Sequence, residues 1–223
     1  MTDSVESNWP TKGQKLFEEP EPSSHYSFSY VGWGDVATQF WGYIKGYKES
    51  ADQLVDTAVV AKSIAILDTY VFPIVFLYRQ FVELTLKSIY LWYSEDDLQM
   101  KRKKISEASH NLATAWRLIC PVLWDACSTD QDRETIDVVK DYIQQFQDFD
   151  RSSFKFRYPI DKQFHRTLDR EQRIDLPNLK KRMDELSQFF DAVEAQLNQL
   201  QEWKAEERQL NEDMMYDIPG EDY

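Results

Sequence analysis

Residues 72–90 read Phe-Pro-Ile-Val-Phe-Leu-Tyr-Arg-Gln-Phe-Val-Glu-Leu-Thr-Leu-Lys-Ser-Ile-Tyr, and this stretch is the most informative of the chain. Its apolar residues predict a buried helix, yet Arg79, Glu83 and Lys87 recur at intervals of four. That spacing places three charges along nearly one line of the helix. Because a charge in an apolar wall needs a partner or a ligand, the line marks a candidate site.

The composition around this helix predicts an all-α protein with a substantial core. The chain has 223 residues, of which 42% are hydrophobic and 14% aromatic, with only 6 Gly and 8 Pro. Long stretches without Gly or Pro favour helices over a turn-rich β architecture.

Neither an uncharged apolar run of 18 residues nor a signal-peptide pattern is present, so we expect a cytoplasmic protein without a membrane span. Cys120 and Cys127 lie two helical turns apart, about 10 Å, which predicts reduced core residues.

The charge distribution limits the classes of partner. The net charge is −13, which argues against a broad nucleic-acid-binding surface. The acidity lies in the two ends, whereas residues 70–127 carry seven bases against six acids. A local cationic pocket is therefore compatible with the sequence, and the acidic ends could imitate the charge of a nucleic acid.

The pattern along the chain predicts three segments. Residues 1–34 form an arm with a short extended segment at 25–31, residues 35–210 a helical bundle, and residues 211–223 an acidic tail. Asp35 is expected to cap the first helix and Pro73 to lie in the first turn of the second. The long last helix suits packing on the bundle or on a partner chain. The predicted helices span residues 36–57, 72–93, 107–127, 130–147 and 177–209.

Three short motifs resemble those of HEPN-type helical proteins. They are the helix Pro-Ile-x-Phe-Leu-Tyr-Arg-x-x-x-Glu-Leu-x-Leu-Lys, a His-Asn-Leu helix start, and the later segment Phe-Arg-Tyr-Pro-x-Asp. The resemblance covers about residues 72–161 and is to the prokaryotic branch of that family. It implies an antiparallel helical bundle, frequent dimerisation and a polar site between helices. The residues that match this site pattern are Arg79, Glu83, Lys87, His110, Asn111, Arg157 and Asp161.

The resemblance does not carry the nuclease function with it. Many HEPN proteins are ribonucleases of toxin–antitoxin and phage-defence systems, and their usual signature is Arg, four to six residues, then His. This chain lacks that signature, since Arg157 and His165 have seven residues between them. Gln80 also stands where the branch often has His.

Within the candidate site, His110 is the one candidate for a catalytic general base, and Arg157 offers a guanidinium suited to phosphate. Both have a structural alternative: a lone His is more often structural, and Arg157 could instead form an internal salt bridge to Glu83. We expect Arg79, Arg157 and His110 to meet at one accessible hollow. The sequence shows no metal-binding motif, no phosphate loop and no nucleophile elbow, so no metal or cofactor is predicted.

Three hypotheses of function follow. The first is a HEPN-like binding or regulatory module whose pocket takes an anionic group, such as a nucleotide or an RNA phosphate, in a defence or toxin–antitoxin setting. The second is a metal-independent ribonuclease with His110 as base. The third is an interaction protein that forms a homodimer, or binds a partner protein, through helix 177–209 and its acidic ends.

Overall fold

A computed structural model describes residues 9–21, 23, 26–127, 129–168 and 171–216, without the side chains of 213–216. The predicted all-α helical bundle is confirmed. The described residues form six helices: α1 Val36–Ala61, α2 Ile64–Tyr93, α3 Leu98–Ala108, α4 Leu112–Ala126, α5 Asp130–Phe149 and α6 Leu176–Tyr216.

Helices α1 and α2 form a hairpin with a two-residue turn. Asp35 caps α1 as predicted, since its Oδ1 accepts from the Thr38 N–H at 2.8 Å. The α1 helix ends where Lys62 takes a left-handed conformation, φ 49°. The expectation for Pro73 is wrong, because α2 begins at Ile64 and Pro73 lies inside it. Thr69, whose carbonyl loses its helical donor to this proline, is exposed, so solvent can hydrogen-bond that carbonyl.

The helix directions follow from a few contacts. The short turn makes α1 and α2 run in opposite directions. Lys180 of α6 pairs with Asp56 of α1 at 2.6 Å, and Asp184, one turn later in α6, pairs with the earlier Lys48. Therefore α6 opposes α1 and runs in the same direction as α2.

The core lies around α2, which contacts α1, α3, α4 and α6. The apolar stripe predicted on the last helix is used for this core, because its residues up to Leu197 pack into the bundle. The buried members of that stripe are Met183, Leu186, Phe190, Val193 and Leu197.

The predicted helix 107–127 corresponds to α4, which begins later than predicted, and α3 before it was not predicted. α3 ends at Ala108, and α4 begins at Leu112 after a turn in which Ser109 has φ 46°. We call residues 109–111 the α3–α4 elbow. Pro121 lies within α4 without ending it.

The remaining expectations concern the ends of the chain. Residues 26–31 form no strand, and the described residues contain only an isolated bridge between Ile160 and Arg166. His25, at the start of the predicted extended segment, lies outside the described residues. The predicted tail begins as a continuation of α6 to Tyr216, and residues 217–223 lie outside the described part.

Helix α2 meets a length and composition criterion for crossing a membrane, the one helix of the described residues that does. Its most apolar 18-residue window is 28% buried in the protein. Core helices of soluble proteins meet the same criterion, so the cytoplasmic location stays a prediction.

Candidate functional site

Arg79 lies at the centre of the predicted site, and it is fully buried, with 0% exposure. Its guanidinium donates from Nη2 to the His110 carbonyl at 2.6 Å and from Nε to the Asp150 carbonyl at 3.1 Å. Nη1 lies 3.4 Å from Glu83 Oε2, and Nε lies 3.7 Å from Asp150 Oδ2. Burial lowers the pKa of Arg79, which the charges of Asp150 and Glu83 partly oppose.

These contacts overturn the prediction of Arg79 as a ligand-binding residue. A guanidinium without accessible surface cannot touch a ligand in this conformation. Instead it ties three segments together: α2, the α3–α4 elbow and the end of α5. We call the set Arg79, Glu83, Lys87 and Asp150 the buried clasp.

Glu83 and Lys87 complete the buried clasp. Lys87 Nζ donates to Glu83 Oε1 at 2.6 Å and to the Ser109 carbonyl at 2.7 Å. The side chains of Glu83 and Lys87 are 5% and 15% exposed. The charged line on α2 could bind a ligand or form ion pairs within the protein. The contacts of Arg79, Glu83 and Lys87 support ion pairs within the protein.

His110 reaches solvent, unlike Arg79 and Glu83 of the predicted set. Its side chain is 54% exposed, while Nδ1 lies 3.0 Å from the buried Oε1 of Glu83. Since Nδ1 faces the carboxylate, Nε2 is the ring nitrogen available to another molecule. The neighbouring Asn111 caps α4, because its Oδ1 accepts from the Thr114 N–H at 2.8 Å.

Arg157 lies outside the buried clasp. It is exposed, its Nε donates to the Ser153 carbonyl at 2.6 Å, and its guanidinium lies 5.9 Å and 5.7 Å from the rings of Phe76 and Tyr158. It has no ion pair with Glu83, so the alternative of an internal salt bridge between them is wrong. The expectation that both arginines and His110 share one accessible hollow is also wrong, because Arg79 is buried.

Asp161 organises its own loop and does not orient Arg157. Its Oδ1 accepts from the backbone N–H groups of His165 and Gln163, at 2.9 Å and 2.8 Å. The bond from His165 is the main cause that lowers the pKa of Asp161.

Sequence reasoning missed Asp150 and Gln147. Asp150 is 1% exposed, and besides Arg79 it holds the following loop by accepting from the Phe154 N–H at 3.1 Å. Gln147 accepts from the Leu112 N–H at 2.7 Å, which fixes the start of α4 to α5. The Arg79–Asp150 and Leu112–Gln147 contacts could not be predicted from local spacing, because in each the two residues are distant along the chain.

A second polar network, between α1, α2 and α6, was also missed. Lys48 donates to Asp52 and Asp184, and the Tyr78 hydroxyl donates to Asp52 at 2.7 Å. Burial alone would lower the pKa of Lys48, but the two carboxylates outweigh burial and raise it. Burial and the bond to Asp52 raise the pKa of Tyr78. The Lys48–Asp52 spacing of four residues was the available signal.

Comparison with protein-family models, with curated proteins and with solved structures finds no match for this chain. The resemblance to HEPN proteins therefore stays a prediction. Among the described residues, no three His, Cys, Asp or Glu side chains come together in a way that could hold a metal ion. Within the predicted site, His110 is an accessible imidazole beside the buried carboxylate of Glu83. It can contact an anion or take part in proton transfer.

Proposed function

We propose that the chain is a HEPN-like binding or regulatory module whose α3–α4 elbow engages a phosphate of a nucleotide or of RNA. The observation that carries this proposal is the local charge around His110. Residues 101–117 carry five bases against one acid, a net charge of +4 without His110, in a chain of net charge −13.

Several of these cations are not used inside the protein. Lys101 donates to the Leu91 carbonyl and Lys104 pairs with Asp96, so both are occupied. Arg102 and Lys103 are exposed and have no ion pair or side-chain hydrogen bond among the described residues. His110 and Arg117 are also exposed, although His110 contacts Glu83 and Arg117 donates to Thr114.

The buried clasp supports binding by keeping the elbow rigid. Arg79 and Lys87 hold the carbonyls of His110 and Ser109, so two consecutive backbone groups of the elbow are fixed to α2. A preorganised site loses less conformational entropy when a ligand binds. The buried clasp therefore fixes the connection between α3 and α4, the two helices that carry Arg102, Lys103 and Arg117.

The test compares binding of a fluorescein-labelled single-stranded RNA, and of ATP by thermal shift, to matched variants. We expect R102Q/K103Q to weaken RNA binding about tenfold or more and to reduce the salt dependence, because two phosphate contacts are lost. H110A should weaken binding as well. The control K140Q/K181Q removes the same charge from exposed positions of α5 and α6 and should leave affinity unchanged. Absence of RNA and ATP binding to the wild type, or equal losses in the control, would contradict the proposal.

The ribonuclease hypothesis is a second candidate, and the His110–Glu83 contact favours it. A carboxylate that orients an imidazole through one nitrogen leaves the other nitrogen to act as a general base. If the chain cleaves RNA in this way, the products carry 2′,3′-cyclic phosphate ends, and both H110A and E83Q abolish them. RNA that stays intact with concentrated wild-type protein would remove this candidate while leaving the binding proposal open to its own test.

A further inference from the structure

A cavity of about 620 Å³ lies between α1, α2 and α6, away from the α3–α4 elbow. Its volume falls within the range of small-molecule sites. Aromatic side chains line it from all three helices: Trp41 on α1, Phe81, Trp92 and Tyr93 on α2, and Phe190 on α6. The Lys48–Asp52 part of the second polar network lies in its wall.

The charge of this cavity is negative. Four carboxylates and two ammonium groups line it, namely Glu49, Asp52, Asp191 and Glu194 against Lys45 and Lys48. Both ammonium groups are already occupied. Lys48 is shared by two carboxylates, and Lys45 lies 3.6 Å from Glu49 and 5.1 Å from the Trp41 ring.

Several polar groups in the cavity wall have no hydrogen bond or ion pair among the described residues, and Glu194 and Ser88 are two of them. Glu194 is half-buried and has no ion pair or hydrogen bond there, and burial raises the pKa of its carboxyl group. Ser88 is only 6% exposed, and its hydroxyl also has no hydrogen-bond partner among those residues. Both groups belong to the cavity wall and are not used by another part of the described protein, so they are available to a ligand in the cavity.

From this arrangement we propose that the cavity between α1, α2 and α6 is a binding site for an organic ammonium ligand. Its charge would face Glu194 and the tryptophan rings, and its N–H or neighbouring hydroxyl group would meet Ser88. Tryptophan faces attract ammonium groups through the ring quadrupole. The Lys45 ammonium over Trp41 shows that such a contact forms at this cavity.

Other ligand classes fit less well. An anion would meet unpaired carboxylates, because both lysines are neutralised within the protein. A divalent metal ion needs clustered oxygen ligands, and the described residues contain no such group of three carboxylate, His or Cys side chains. An organic cation spreads its charge over a larger volume, and its apolar part can contact the aromatic walls.

The experiment titrates the full-length protein with choline and phenethylammonium, followed by tryptophan fluorescence and calorimetry. The neutral isostere of choline, 3,3-dimethylbutanol, is titrated in parallel. We expect saturable binding of at least one ammonium compound and at least about tenfold weaker binding of the neutral isostere. Binding of neither ammonium compound, or equal binding of choline and its isostere, would overturn the proposal.

Matched variants locate the site. E194Q keeps the shape of the side chain and removes its charge, so it should weaken ammonium binding about tenfold or more. E202Q makes the same change at an exposed residue of α6 and should bind as the wild type does. S88A tests the second unpartnered group and should also weaken binding. Wild-type affinity in both E194Q and S88A would place the ligand elsewhere and overturn the assignment of this cavity.

Discussion

Arg79 contacts three segments of the chain without exposing any of its own surface. Two of its partners are backbone carbonyls, which every residue has and which no sequence pattern distinguishes. The spacing of Arg79, Glu83 and Lys87 therefore predicted correctly that these charges need partners. It could not predict whether the partners are a ligand or the protein itself.

Replacement of Arg79 should show its structural role. We expect R79M to lower the free energy of unfolding by about 3–5 kcal/mol, because Glu83 and Asp150 lose a buried counter-charge. Urea denaturation followed by circular dichroism measures this change. The control R102M removes an exposed arginine without an ion pair and should change stability by less than about 0.5 kcal/mol. A loss below about 1 kcal/mol in R79M would contradict the role of the buried clasp.

At the scale of the helices, the predicted starts of α1 and α5 were correct. Asp35 caps α1 by accepting from the Thr38 N–H, and Thr129 and Asp132 form a reciprocal capping box at the start of α5. Other starts were not predicted: α2 begins eight residues before the predicted position, α3 with its Asp97 cap was missed, and α4 begins after its Asn111 cap, later than the predicted residue 107.

The cap of α5 supplies a prediction at this scale. T129A should lower the free energy of unfolding by about 1 kcal/mol, because the Asp132 N–H loses its acceptor. T135A is the matched control, since the exposed Thr135 hydroxyl bonds only the Gln131 carbonyl of the same helix. Thermal and urea unfolding of the two variants measure the difference, and equal stability of T129A and T135A would show that the capping box contributes nothing.

At the scale of the whole molecule, α6 divides into a docked part and an exposed part. Residues of α6 up to Leu197 pack in the core. Beyond them, Lys204 forms a 3.5 Å ion pair with Glu95, which lies just after α2. Residues 201–212 are all exposed, including Leu210 at 63%. Much of the apolar stripe that suited a partner chain is therefore buried within the protein itself. A homodimer or partner contact through this helix would therefore have to use its exposed C-terminal part.

The same change, Leu to Ala, at two positions of α6 tests where the docked part of the helix ends. L197A should lower the free energy of unfolding by about 2–4 kcal/mol, because Leu197 is 5% exposed and its removal leaves a cavity. L210A should change it by less than about 0.5 kcal/mol at low protein concentration. Denaturation at two protein concentrations, with light scattering, is the measurement. A concentration-dependent loss in L210A would show that the end of α6 is covered by a second copy.

Features that depend on residues close together in the chain could be predicted, whereas features that depend on distant residues could not. The all-α class, the apolar stripe of α6, the Asp35 cap and the charged line of α2 could be predicted, since each depends on residues within one or two helical turns of each other. The burial of Arg79, the exposure of His110 and the cavity beside Glu194 are seen only in the folded protein. These depend on side chains and carbonyls that are distant along the chain, and packing alone determines which of them meet and which face solvent.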